Sequence, residues 1–329
     1  MARDETQPAA QAHPSTRPVT GSDPARTVAF VMSPALGDSL NLLVIAYNLW
    51  LAGWRVDVFG DHAYSLAAWF PHLTIAPALT PGDAPCVLAG YPVVVQMHRH
   101  SPLRDLHDQH PGFIDLHDVE YAKNADCMAR RFADFAATRF GLTNVVVSNG
   151  IRPPAHLRPG RHASRIAMHP EASTDDKRWT SQRFITLARR LHAAGFETEF
   201  ALGTHELPRW QTHDAAGTPL RTFASTAALA EWLVESAWFI GNDSGVGHLA
   251  SSLGVPTLTV FRRRKIAQRW RPGFAPGAIV CPPWWLPTAG LKERWWRESI
   301  TIRRVLASFH ALRSHPALPR DRASDWVMQ

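Results

Sequence analysis

From Thr27 onward, short β-rich runs alternate with longer stretches of helical period, the pattern of βαβ units that build a parallel sheet. Thr27–Ser33 (TVAFVMS) is the first expected strand. A Pro-Ala-Leu-Gly-Asp-Ser turn follows, and Leu40, Leu43, Val44, Tyr47 and Leu51 are then spaced to line one face of a helix that Gly53 ends. Further strands are expected at Arg55–Phe59, Val93–Gln96 and Asn144–Ser148, with one or two helices over Asp118–Phe140. The stretch Asn149–Arg161 holds three prolines and two glycines without an apolar period, which makes it the linker. The rhythm then restarts. Strands are expected at Arg165–His169, Thr198–Leu202, Trp238–Ile240 and Thr257–Phe261, and helices around Phe184–Leu191, Leu229–Leu233, Val246–Leu253 and Ser299–Leu312.

A chain of 329 residues is too long for one ordinary compact unit, and the restart divides it. Residues 1–26, rich in Pro, Ala, Ser and Thr and lacking the apolar segment of a secretory signal, read as a disordered leader. Residues 27–150 and 151–298 read as two Rossmann-like α/β domains, and 299–329 as a helix and tail. The longest nearly apolar run, Leu42–Trp54, falls short of the ~20 residues that cross a bilayer. Three distant cysteines, Cys86, Cys127 and Cys281, suit neither a disulfide framework nor a thiolate zinc site, and a reducing cytoplasm is expected. A net charge of +7 attracts anions without choosing among nucleic acid, lipid headgroups and phosphorylated small molecules.

The most informative stretch is Ile240–Val260, IGNDSGVGHLASSLGVPTLTV. A strand ends at Gly241, the loop supplies Asp243 and Ser244, and a helix begins among Gly245, Val246 and Gly247 with Ser244 as its N-cap. Unpaired amides at that helix start form an anion site at a strand's carboxyl end. The glycines suit either close approach of a ligand to the backbone or plain packing, and His248 suits either a packed ring or a phosphate donor.

Asn-Asp-Ser-Gly-Val-Gly-His-Leu-Ala, followed by Leu253-Gly254-Val255-Pro256 and a strand ending in Phe261, resembles the nucleotide-sugar signature of glycosyltransferase family 9, the ADP-heptose:lipopolysaccharide heptosyltransferases. Two other segments agree in order and spacing: His169-Pro170-Glu171-Ala172 with Lys177-Arg178-Trp179, and Leu36-Gly37-Asp38-Ser39-Leu40. The resemblance implies a GT-B fold, two facing Rossmann-like domains with the donor held mainly by the second. Inverting transfer needs a base for the acceptor hydroxyl and positive groups for the departing diphosphate. The resemblance implies that Asp38 is the base, although its position also suits a helix N-cap, and that Lys177 reaches the diphosphate, although a loop lysine beside Asp175 and Asp176 is ordinarily solvated. It implies that Ser244, Gly245, Val246, Gly247 and His248 cradle the pyrophosphate with no metal ion or other cofactor, and that Asp243 faces the donor sugar. Glu206 is placed either to bond a ribose or to serve as a first-turn helix acid.

Arg262, Arg263, Arg264 and Lys265 continue the signature strand where the family has Phe-Gly-Pro-Thr, and are expected to meet an anionic glycan or glycolipid acceptor or the headgroups of the inner membrane. Nucleic-acid binding through this run ranks last. The pairs Trp284–Trp285 and Trp295–Trp296 read as packing groups. The segment holding His98, His100, His107, His110 and His117 matches no standard metal-site spacing and reads as a proton-sensitive acceptor loop. The expected protein is a cytoplasmic glycosyltransferase that touches the inner membrane at most peripherally. The alternatives are an inactive nucleotide-sugar-binding protein and a GT-B sugar-nucleotide epimerase.

Overall fold

The computed structural model describes residues 24–212, 217–283, 289–314 and 326–328. Five parallel strands form one sheet in the order β3-β2-β1-β4-β5: β1 Thr27–Val31, β2 Arg55–Phe59, β3 Thr74–Ala76, β4 Val93–Gln96 and β5 Phe113–Ile114. A second parallel sheet runs β12-β11-β10-β9-β6-β7-β8. Its strands are β6 His162–His169, β7 Glu197–Leu202, β8 Leu220–Thr222, β9 Ser236–Asn242, β10 Thr257–Val260, β11 Gly277–Val280 and β12 Trp326–Met328. Val28 and Phe30 enter one apolar cluster and Ala29 and Val31 another, so β1 is buried on both faces, as a central parallel strand must be. The α/β class with two parallel sheets is as the sequence implied.

Several local expectations are corrected. Asn144–Ser148 is not a strand. The Asn48 side chain takes over part of its backbone pairing, donating to Val146 O at 2.9 Å and accepting from Val146 N at 2.8 Å. The first helix spans Leu36–Leu51, beginning a turn before Leu40, and it is not a one-faced amphipath: Leu40, Leu42, Leu43, Val44, Ile45, Ala46 and Leu49 are all buried, while Leu51 is exposed. It is covered by both halves of the molecule. The strands β3, β5, β8 and β11 and the helix Arg264–Trp270 carried no readable period. Trp296 is core and Trp295 exposed, while Trp284 and Trp285 lie outside the described residues, as do residues 1–23 of the expected leader.

The strand orders determine where a ligand can sit. The chain leaves β1 for β2 and β3, then returns to β4 on β1's other side; likewise it leaves β6 for β7 and β8, then returns to β9. Crevices at the carboxyl ends of parallel sheets open at such reversals. The first reversal presents the loops after β1 and β4, the second those after β6 and β9.

The two halves meet through the N-termini of two helices, Leu36–Leu51 and Gly245–Ser252. A Cβ on Gly245 would lie 2.9 Å from both the Gly37 amide nitrogen and Leu36 Cβ, and a Cβ on Gly37 would lie 3.0 Å from His248 Cδ2. Gly247 has Phe239 as its neighbour, 3.3 Å from a built Cβ. Of the two uses left open for these glycines, the missing side chains serve packing. Asn41 Nδ2 lies 3.2 Å from His248 Nδ1, and Asn149 Nδ2 donates to both Leu40 O and Ser252 Oγ. Gly245→Ala should therefore push the halves apart and cost about 1–3 kcal/mol. Thermal unfolding should record a fall of several degrees, whereas Gly90→Ala, with nothing within 4 Å of the new methyl, should leave the midpoint in place.

Candidate active site

A cavity of about 920 Å3 lies between the two sheets and receives loops from both reversals. Asp38, Lys177, Glu206, Asp243, Ser244, Gly245, Val246, His248, Arg262 and Arg263 line it, together with His62, which no sequence motif singles out, and His169, from the segment quoted for the resemblance but assigned no role there. Gly247, Arg264 and Lys265 do not line it.

Asp38 stands in the first turn of its helix, and its side chain does not cap it. Oδ2 instead accepts from the Ser33 hydroxyl at 3.0 Å and lies 3.3 Å from His98 Nε2, while Oδ1 has no partner among the described residues. The N-cap alternative is thereby removed, because the helix starts too early for it.

Lys177 occupies a short turn, Asp175–Lys177, after β6. Its acidic neighbours are taken: Asp175 pairs with Arg178 and Asp176 with Arg262. Lys177 Nζ instead reaches across to Asp243 Oδ2 at 3.7 Å. Buried Glu171 accepts 2.6 Å bonds from Arg178 and Trp210 Nε1. Asn242 accepts from the Trp179 amide and donates to Pro170 O, tying the loop to the end of β9.

Burial pushes the Asp243 carboxyl up to about 6 against the pull of Lys177, and Asp38 adds to the rise. Ser244 is the N-cap by position, but its hydroxyl makes no capping bond and, although buried, has no partner among the described residues. A buried unpaired hydroxyl costs about 1–3 kcal/mol, so a group in the cavity that bonds it gains what the fold forgoes. His248 is a packed ring at the cavity wall, edge-on to Trp270. Burial lowers its pKa to about 4, so at neutral pH it carries no charge for a phosphate. Glu206 Oε2 accepts from the Gly203 amide at 2.6 Å, and its other oxygen lies 3.7 Å from His205 Nε2. Arg264 approaches Cys281 and Arg304, and Lys265 is exposed, so the basic run is split between two surfaces. In the histidine-rich segment only His98 comes within bonding distance of a predicted site residue, and the described residues hold no cluster of three or more His, Cys, Asp or Glu suited to a metal ion.

The family model described as Glycosyltransferase family 9 (heptosyltransferase) matches residues 129–273. No curated protein matches. Among solved structures, the E. coli heptosyltransferase WaaC with ADP is similar at 14% identity over 87% of this chain and 99% of that one, with a TM-score of 0.63. E. coli ADP-heptose lps heptosyltransferase II (15% identity, 87% and 98% covered) and a glycosyltransferase family 9 structure from Veillonella parvula DSM 2008 (15%, 89% and 98%) each reach a TM-score of 0.63. At such identities the likeness is one of fold. Two facing parallel sheets with their reversal loops turned to one cleft give this chain the GT-B fold of those structures. The matched residues 129–273 hold the Asp243–Val260 signature and the Lys177 segment on which the sequence resembles family 9.

Two outcomes follow from this geometry. Ser244→Ala should leave the unfolding midpoint unchanged or slightly higher in thermal melts, because it removes an unpaired buried hydroxyl. His248, whose folded pKa lies below its unfolded value, contributes stability that is complete above about 6.5 and is lost as pH falls towards about 4. The burial penalty on Asp243 eases over part of the same range. The wild type should lose on the order of 2–3 kcal/mol more than His248→Gln between those pH values, read from denaturant melts.

Proposed function

We propose that the protein is an inverting glycosyltransferase whose donor is a nucleoside diphosphate sugar, with ADP-heptose first among candidates, and whose acceptor is an anionic glycan or glycolipid of the cell envelope. One observation carries the reading: an ionisable carboxylate with an unpaired oxygen, Asp38, opens onto the same cavity as Lys177 and the unpartnered Ser244 hydroxyl at the start of a helix. Asp38 takes the proton of the attacking acceptor hydroxyl. The diphosphate lies against the amides of Gly245 and Val246 and the Ser244 hydroxyl, where the helix dipole and Lys177 stabilise the charge that develops as the sugar leaves; Gly247, whose amide donates to Ser244 O, takes no part. His248 supports this turn as a neutral ring. Asp243 meets the donor sugar hydroxyls and Glu206 the ribose. Arg262 and Arg263, at the cavity wall, receive the anionic groups of the acceptor.

The donor assignment leans on the solved relatives: WaaC is described with ADP and with ADP-2-deoxy-2-fluoro heptose. A role in lipopolysaccharide assembly, in the cytoplasm and against the inner membrane, follows from an envelope acceptor joined to a soluble donor. Among the described residues no helix is long and apolar enough to cross a membrane.

A thermal-shift series of ADP, UDP and GDP with their sugars tests the donor: ADP and ADP-heptose should raise the midpoint most, and a larger response to UDP or GDP would replace the donor. Asp38→Asn should bind ADP as the wild type does and lose about 100-fold or more in turnover. Undiminished turnover in that variant removes Asp38 from its role.

A further inference from the structure

The loop after β4 brings one side chain to Asp38 from behind. His98 does not line the cavity. Its Nε2 lies 3.3 Å from Asp38 Oδ2 and its Nδ1 3.7 Å from Glu120 Oε2, so one ring is held between two carboxylates contributed by different elements. The contact is a product of the strand order: the ends of β1 and β4 are neighbours at the reversal, which puts the loops carrying Asp38 and His98 side by side.

Both sides of the clamp are built. Gln96 Nε2 donates to the carbonyls of His98 and Leu103, and its Oε1 accepts from the Leu103 amide, fixing the loop. Glu120, 6% exposed, belongs to a short helix, His117–Tyr121, anchored by a buried arginine. The Arg131 guanidinium donates to the carbonyls of Val119, Glu120, Ala122, Asn124 and Asp126, a set that serves no carboxylate, and the Glu120 carboxylate is shared between His98 and the Tyr121 hydroxyl. Without the ring, a single hydroxyl, Ser33, would hold Asp38.

Resting on the reading of Asp38 as the base, we propose that His98 is a positioning residue of the transfer reaction: clamped between Asp38 and Glu120, its ring keeps the Asp38 carboxylate facing the cavity. A base contributes only within hydrogen-bond reach of the proton it takes, so its orientation enters turnover directly. The hydrogen bond to Asp38 raises the His98 pKa above the ordinary 6.5, burial opposes it, and the charges of Asp38 and Glu120 add to the rise.

The other groups facing this assembly titrate elsewhere or are paired. Across the cavity Asp243 titrates near 6 and His248 near 4, both on the acid side. Lys177 pairs with Asp243 and Arg99 with Asp115. Tyr121, beneath Arg269, is raised above its ordinary 10. A loss of turnover on the alkaline side of 6.5 therefore belongs to His98. As pH rises through its raised pKa the ring loses its charge, the clamp on Asp38 slackens and kcat declines.

The test pairs kinetics with a titration that needs no turnover. ADP release from ADP-heptose should give His98→Gln a kcat roughly 10-fold lower, short of the ~100-fold loss from removing the base itself, with donor KM and ADP-induced stabilisation unchanged. The alkaline decline should vanish in His98→Gln and move to lower pH in Glu120→Gln, while His98→Ala should be slower than His98→Gln. By NMR, the histidine Cε1–H signal missing in His98→Gln should titrate above 6.5 in the wild type and fall in Asp38→Asn. Wild-type kcat and pH profile in both His98 variants, or a His98 titration at or below 6.5, would overturn the proposal. If the His98 variants do not fold, the histidine signal whose titration moves in both Asp38→Asn and Glu120→Gln identifies the ring, and its wild-type titration decides alone. Undiminished turnover in Asp38→Asn overturns the base reading instead, whatever His98 does.

Discussion

Everything in the cleft depends on the contact between Gly37 and Gly245. Two helices from different sheets abut there at their N-termini, with a hypothetical Gly245 Cβ only 2.9 Å from the Gly37 amide nitrogen. Each N-terminus carries roughly half a positive charge, so pressing two together is electrostatically unfavourable unless anions sit beside them. Asp38, in the first turn of one helix, and Asp243, just before the other, supply those anions. Their placement has a cost: burial raises the pKa of Asp243, and the nearby Asp38 adds a smaller part. Lys177 offsets part of it. The arrangement therefore calls for negative charge, and its own carboxylates supply that need only at the expense of one another.

That contact also makes the halves one body. A single apolar cluster runs from Phe30 and Leu43 in the first sheet and its helix to Phe239, Leu249 and Val255 in the second. The polar ties of Asn41 to His248 and of Asn149 to Leu40 and Ser252 sit at its border. The distance from the Asp38 carboxylate to the Ser244 turn is thus set by close packing rather than by the length of the connection between the halves. Packed cores resist displacement even by one methylene, so this distance is held tightly.

The sequence was most legible where chemistry is local. Strand and helix periods exposed the two α/β layers, and Arg55–Phe59 and Val93–Gln96 coincide with β2 and β4. The signature around Asp243 and Ser244, the Lys177 turn and Asp38 all reach one cavity. Strands of two or three residues, such as β5 and β8, are too short to show a period. Asn48, which merely interrupted an apolar run, replaces strand pairing for Val146, a partner 98 residues away. Glycine was ambiguous for a deeper reason. A missing side chain marks both a backbone that meets a ligand and one that meets another backbone, and only the third dimension tells which. His98 stood among five histidines of similar spacing, and what sets it apart is Glu120 on a helix that Arg131 anchors from the far side.

The basic run shows how far charge counting can mislead. Arg262 through Lys265 looks like a patch, yet Arg262 pairs with Asp176, Arg264 turns towards Cys281 and Arg304, and Lys265 leaves the cavity altogether. The cavity wall holds three full cations, Lys177, Arg262 and Arg263, against four carboxylates, Asp38, Asp176, Glu206 and Asp243. His169 and His248 add no charge, because burial holds both in the neutral form. A net +7 on the whole chain therefore gives no positive field inside the cleft. Recognition of an anion there has to come from directed groups: the amides at the Gly245 turn, the idle Ser244 hydroxyl and one lysine shared with Asp243. Directed donors in a walled cavity keep most of their strength in salt, whereas a diffuse basic surface would lose it.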